Sequence, residues 1–189
     1  MPHQIITISL LPTAVRIGDQ QIDILATDAA PKLRECLGPK IASHSFPGTA
    51  RTAELLRGGA ILVTENGGTQ LLLLTICFDA QDGSPYSAFI ETPVFSGAVE
   101  CAGHRFLGQE KERAMRRQAS IHGFAGALKI DVGEIHIGLW FRKPKNRFGK
   151  RSGERRLVSL SVEWGHVKGF GNTSPAPLPI RASGRNIEE

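Results

Sequence analysis

Cysteine, aromatic residues and long apolar runs are all scarce in this chain of 189 residues. The three cysteines lack C-x-x-C spacing and are odd in number, so the sequence predicts neither a disulfide framework nor a zinc ribbon. The longest aliphatic run, residues 71–74, is far shorter than the ~20 apolar residues that a membrane-spanning helix needs. We therefore expect no contact with a membrane.

Sequence motifs that identify a reaction are also missing. The chain has no Walker pattern, no G-x-G-x-x-G turn, no G-x-S-x-G elbow and no H-E-x-x-H pair. We accordingly predict no cofactor, no metal site and no catalytic residue. A catalytic site assembled only by folding stays open as an alternative, with His104, His122, His136 and Glu134 as its candidates.

The N-terminal residues MPHQI show no basic stretch followed by an apolar one, so the sequence predicts no secretory signal. Cys36 and Cys77 lie among apolar neighbours and are interpreted as small buried side chains. Together these features predict a protein of the reducing cytoplasm.

The order of periodic segments and turns predicts the fold class. Short alternating strands are joined by glycine turns such as Asn66-Gly67, a pattern typical of antiparallel hairpins. Helices are expected after Asp28, where Gly38-Pro39 would end the first, and over 109–119. Residues 52–57 are interpreted as one further helical turn. We therefore predict an α+β fold of mostly antiparallel sheet, with one helix in each half.

The two halves share their order of elements at an offset of about 84 residues, since Ala14-Val15 corresponds to Ala98-Val99. This order predicts a tandem duplication of a β-β-α-β-β unit, with repeats over 1–90 and 91–168. Two successive segments that merely share an order remain the alternative. Residues 169–189 are rich in proline and glycine and are predicted to be extended or disordered.

Positive charge is concentrated in residues 142–156, RKPKNRFGKRSGERR. Eight basic residues and one acidic residue give this basic segment a net charge of +7, while the whole chain carries +5 and the remainder therefore −2. Such a segment attracts phosphates or an acidic partner, although a solvated loop is the simpler interpretation.

The strand that leads into the basic segment has an unusual outer face. If Ile135, Ile137, Leu139 and Phe141 point inward, then Trp140 and Arg142 point outward, and both residue types are enriched at binding hot spots. The alternative is a bulge that turns Trp140 into the core. The predicted partner-binding residues are Glu134, His136, Trp140, Arg142, Lys143, Lys145, Arg147, Phe148, Lys150 and Arg151.

The first half of the chain resembles an uncharacterised family of small bacterial α+β proteins. The resemblance lies in the hairpin turn Val15-Arg16-Ile17-Gly18, the helix end Leu37-Gly38-Pro39, the strand over 73–78 and the segment PVFSGAVECAG over 93–103. Such proteins are often immunity-type genes of bacterial toxin systems, so the resemblance implies a toxin-neutralising context but no active site. The tandem organisation is also similar in outline to enzyme inhibitors built from two helix-plus-sheet units.

Three functions follow as expectations. The first is a non-catalytic binding protein, an immunity-type inhibitor that occludes the active site of a toxin or enzyme. The second is nucleic-acid binding by the 142–156 hairpin, with Trp140 or Phe148 stacking on bases. The third is an enzyme with an unrecognised site. The sequence predicts neither the partner's identity nor the oligomeric state.

Overall fold

The computed structural model describes residues 6–80, 89, 92–118, 120–144 and 150–164. These residues form a mostly β fold of two sheets, so the prediction of an α+β fold is wrong. Within them, one helix exceeds a single turn, α1 at Ala29–Leu37, and α2 at Glu112–Met115 has four residues. None of the described helices is long and apolar enough to cross a lipid bilayer.

The first sheet has five strands in the order β3-β2-β1-β8-β9, of which β1 and β8 are parallel. Their bounds are β1 Thr7–Leu10, β2 Ala14–Ile17, β3 Gln20–Asp23, β8 Ala98–Cys101 and β9 His104–Phe106. The second sheet has eight antiparallel strands in the order β10-β11-β12-β13-β7-β6-β5-β4. Their bounds are β4 Lys40–Ser45, β5 Thr52–Leu56, β6 Ala60–Glu65, β7 Gln70–Cys77, β10 His122–Phe124, β11 Ala127–Val132, β12 Ile135–Arg142 and β13 Arg156–Trp164.

The eight-stranded sheet consists of two four-stranded meanders, β4–β7 and β10–β13, which meet where β7 pairs with β13. Thr75 Oγ1 and Ser161 Oγ lie 2.9 Å apart at this junction, and both residues are buried. Both sheets therefore contain strands from before and after residue 90. The predicted β-β-α-β-β unit is wrong, because four strands rather than two follow each helix.

Buried apolar residues of both sheets and of α1 form one hydrophobic core. Leu33 and Leu37 of α1 are buried, and the helix contacts β6 and β7. The buried Trp164 donates a hydrogen bond from Nε1 to the carbonyl oxygen of Leu11, 3.2 Å away. That bond ties β13 to the loop between β1 and β2.

Two predicted helical segments are strands or loops. Residues 52–57 belong to β5, where Ala53, Glu54, Leu55 and Leu56 are all buried. Burial on both faces of a central strand removes the alternation of polar and apolar residues by which a strand is recognised. Of the described residues over 109–118, only Glu112–Met115 are helical. Met115 provides the one buried apolar side chain of α2, and short helices depend on such packing. The predicted tail, 169–189, lies outside the described residues.

Candidate functional site

Strand β12 alternates as its sequence predicts. Ile135, Ile137, Leu139 and Phe141 are buried in the core, while His136 is exposed and Trp140 and Arg142 are half-buried on the opposite face. Gly133 adopts a left-handed conformation (φ 58°) in the turn that separates β11 from β12. In the sequence, the apolar residues before Gly133 alternate out of phase with those after it, which predicts a turn or bulge at this glycine. The turn brings β11 and β12 into register and sets which residues of β12 face outward.

The sequence leaves open whether Trp140 faces outward or is turned into the core, and the structure shows features of both. Its side chain lies on the face opposite Leu139, yet its Nε1 is buried and has no hydrogen-bond partner among the described residues. A Cβ added to Gly138 would lie 3.3 Å from that nitrogen, so the indole folds over this glycine. Ser159, the cross-strand partner of Trp140 in β13, is fully buried, and its Oγ also lacks a partner within the part of the chain that the structure describes.

The side chain of His136 pairs with the carboxylate of Asp131. Its Nδ1 lies 2.7 Å from Asp131 Oδ1, and His122 Nε2 lies 3.2 Å from Asp131 Oδ2. All three side chains are about half exposed. Glu134 is exposed in the β11–β12 turn. Among the described residues, no three His, Cys, Asp or Glu side chains are grouped so as to hold a metal ion.

Three cations lie side by side at the far end of this face. Arg142 of β12 is the direct cross-strand partner of Arg156 in β13, and Arg156 also forms an isolated bridge with Lys111. Directly opposed residues in an antiparallel sheet have Cβ atoms ~5 Å apart on the same side. The cationic row, defined as Lys111, Arg156 and Arg142, is therefore a set of three basic residues on adjacent segments. Glu154 pairs with Lys111 at 3.2 Å.

The basic segment connects β12 to β13, which pair directly with each other. Lys143, Lys150 and Arg151 are exposed, and Arg151 Nη1 donates a hydrogen bond to the carbonyl oxygen of Lys143 at 2.9 Å. The remaining predicted site residues of the segment, Lys145, Arg147 and Phe148, lie outside the described residues.

A second cationic feature was missed by sequence reasoning. Glu112 of α2 is buried, and its Oε1 accepts hydrogen bonds from Arg116 Nε (3.0 Å), Arg116 Nη2 (2.7 Å) and the Gly126 amide (3.1 Å). Arg155 Nη1 lies 3.4 Å from Oε2. Burial alone would raise the pKa of Glu112, but these hydrogen bonds and the two guanidinium charges hold it below its usual value. The i,i+4 pair Glu112–Arg116 is the one part visible in the sequence.

The other histidine candidate, His104, lies in the β8–β9 hairpin opposite Cys101. Its Nε2 is 3.4 Å from Ser120 Oγ, and its ring stacks on Phe106. Burial raises the pKa of the Cys101 thiol to about 11, so this cysteine is protonated at neutral pH. A thiol in that state is a poor nucleophile, which argues against a Cys101–His104 catalytic pair.

No protein family model matches the chain, and no curated protein or solved structure matches it either. The resemblance to an immunity-type family therefore stays a prediction.

Proposed function

We propose that this chain is a non-catalytic binding protein that neutralises a toxin or enzyme by covering an acidic surface of it, in the manner of an immunity-type inhibitor. The observation that carries the proposal is the opposition of Arg142 and Arg156, extended by Lys111 into the cationic row. Like charges placed directly opposite each other destabilise a sheet. An acidic partner would remove that repulsion on binding, which favours the complex.

The surroundings of the cationic row also favour a protein contact. Trp140 lies two residues before Arg142 on the same face of β12. Its buried Nε1 has no hydrogen-bond partner among the described residues, and tryptophan and arginine dominate binding energy at protein interfaces. The wider face, which includes His136 and Glu134, provides the polar rim that such interfaces have.

Nucleic-acid binding by the 142–156 hairpin is the second candidate. It is favoured by the same cationic row, because basic residues on adjacent segments can contact consecutive phosphates. It differs from the first proposal in that binding would fall steeply with salt and would depend on intact nucleic acid. Phe148, the second residue expected to stack on bases, lies outside the described residues.

Affinity capture from a lysate of the source cells tests the two candidates. The full-length chain serves as bait, and one half of the lysate is treated with nuclease. The proposal predicts one stoichiometric protein that is retained in both halves. Recovery of nucleic acid that nuclease and raised salt both abolish would replace the proposal with the second candidate. Capture of neither would contradict both.

A further inference from the structure

A cleft lies between α2 and the two ends of the basic segment, next to the cationic row, whose Lys111 pairs with Glu154 of the cleft lining. It has a volume of about 570 Å³, within the range of about 300–1,000 Å³ typical of small-molecule sites. Its charged lining consists of four basic and two acidic residues, which leaves a net charge of +2. These residues are Arg113, Arg116, Lys143, Arg155, Glu112 and Glu154.

Two of these cations have no counterion in the part of the chain that the structure describes. The Arg113 guanidinium and the Lys143 ammonium form neither a hydrogen bond nor an ion pair there. Arg113 belongs to α2 and Lys143 follows β12, so folding brings the two charges to one cleft from segments 30 residues apart. Unpaired cations gathered in a cleft concentrate anions from solution.

The other two cations of the cleft, Arg116 and Arg155, are held in place by the buried carboxylate of Glu112. Buried Glu112 fixes the guanidinium of Arg116, which also donates from Nη1 to the Gly123 carbonyl oxygen at 3.1 Å. The same carboxylate holds Arg155 by Nη1, which leaves its Nε and Nη2 without a partner among the described residues. Donors that are fixed in advance lose little side-chain entropy when they bind a ligand.

From this arrangement we infer that the cleft binds a phosphate monoester through Arg113, Lys143 and Arg155, with Glu112 as the positioning residue. A phosphate monoester carries about −1.5 to −2 charges at pH 7 and three acceptor oxygens, which matches the cleft's net charge and the three basic side chains that line it. A single carboxylate would use one bidentate arginine and leave the other two cations unpaired. The inference deepens the proposed function, on which it rests for the idea that the partner is recognised through its negative charge.

Isothermal titration calorimetry on the purified full-length chain tests the inference without any partner. The probes are inorganic phosphate, a phosphoserine peptide and the same peptide without phosphate, all at matched ionic strength. We expect the phosphopeptide to bind at least tenfold more tightly than its unphosphorylated form. Affinity for inorganic phosphate equal to that for the phosphopeptide would overturn the assignment of a monoester, and weaker affinity would support a phosphorylated side chain as the ligand.

A matched pair of variants locates the binding. Arg113 lines the cleft, whereas Arg117, four residues further on, does not. Arg113→Gln should weaken phosphopeptide binding at least threefold, and tenfold or more when Lys143→Gln is added, while Arg117→Gln, which removes the same single charge as Arg113→Gln, should change it less than twofold. Equal losses in the two single variants, or binding that does not depend on phosphate, would overturn the inference. Either result leaves the proposed function standing, because lysate capture is read out separately.

Discussion

Arg142 and Arg156 face each other as direct cross-strand partners in β12 and β13, in a fold where most interstrand pairs on the opposite face are apolar. A pair of opposed cations contributes nothing favourable to the isolated sheet. It is, however, well suited to an acidic ligand, since both guanidinium groups lie on the face that also carries Trp140. The two arginines that destabilise the sheet by repulsion thus lie on the surface that we propose as the contact site.

Removing one cation of this pair should stabilise the free protein. Arg156 is exposed, so Arg156→Gln removes a charge without leaving a cavity. We expect the free energy of unfolding to rise by about 0.2–1 kcal/mol in low salt, the range measured for cross-strand pairs. The gain should shrink as salt screens the repulsion. Urea denaturation at two salt concentrations measures both effects.

Lys129→Gln is the matched control, because Lys129 is exposed on β11, on the same sheet face but away from the cationic row. It removes the same unit of charge and should leave stability within about 0.5 kcal/mol of the wild type. If Arg156→Gln were the more destabilising of the two, the opposed arginines would not repel each other significantly.

The two tryptophans should differ sharply in their effect on stability. Trp164 is 2% exposed and donates to the Leu11 carbonyl oxygen, so Trp164→Phe should cost about 1–3 kcal/mol through the lost bond and the reduced packing. Trp140→Phe removes an indole N–H that has no partner in the described part of the chain, and should cost less than about 1 kcal/mol. Thermal and urea denaturation of both variants would decide this.

The two tryptophan substitutions should affect binding in the opposite order to their effects on stability. If Trp140 contacts the captured partner, Trp140→Phe weakens the complex at least threefold, whereas Trp164→Phe leaves its affinity unchanged in the folded protein. Unchanged affinity for Trp140→Phe would remove Trp140 from the contact surface.

The buried carboxylate of Glu112 should make stability depend on pH. Because folding lowers its pKa, the stabilisation is present above the usual glutamate pKa of about 4.3 and is lost as the pH falls through the lower folded value. Glu112→Gln should therefore be less stable than the wild type at pH 7, by about 1–3 kcal/mol. The difference should narrow on acidification below pH 4.3. A gap that stays constant from pH 7 to pH 3 would show that the charge of Glu112 contributes nothing.

The hydrogen bond between Thr75 and Ser161 should couple the two meanders. Thr75→Val removes this hydrogen bond between two buried residues and should cost about 0.5–1.5 kcal/mol. Ser161→Ala should lower the free energy of unfolding less in the Thr75→Val background than in the wild type. The difference, which is the coupling energy, should be at least about 0.5 kcal/mol. Strictly additive effects in this double-mutant cycle would contradict the proposed coupling.

Local signals predicted the hairpins but not the sheets. The turns at Gly18, Asn66-Gly67 and Gly133 and the alternation along β12 were all visible in the sequence, and the structure places strands on both sides of each. Strand β5 was not, because all but its first residue are buried and its alanine and leucines also favour a helix. Strand β4 was missed for the opposite reason, since nearly all of its side chains are exposed at the sheet's edge.

The candidate site was only partly predictable for a similar reason. The alternation of polar and apolar residues along β12 predicts the side of the strand on which Trp140 and Arg142 lie. The opposition of Arg142 to Arg156 depends instead on a register shift between Trp140 and Phe141, which no local pattern reveals. The cleft likewise needs Arg155 beside Glu112, 43 residues away in the chain, and only the packing of α2 against the start of β13 brings them together.

The most direct test of the central claim is the dissociation constant of the captured complex, measured by calorimetry for the wild type, for Arg142→Gln with Arg156→Gln, and for Lys129→Gln. We expect the double variant to bind its partner protein at least tenfold more weakly while being at least as stable as the wild type. Lys129→Gln should bind within twofold of the wild type. Equal affinity for the double variant and the wild type would contradict the claim that the cationic row contacts an acidic partner.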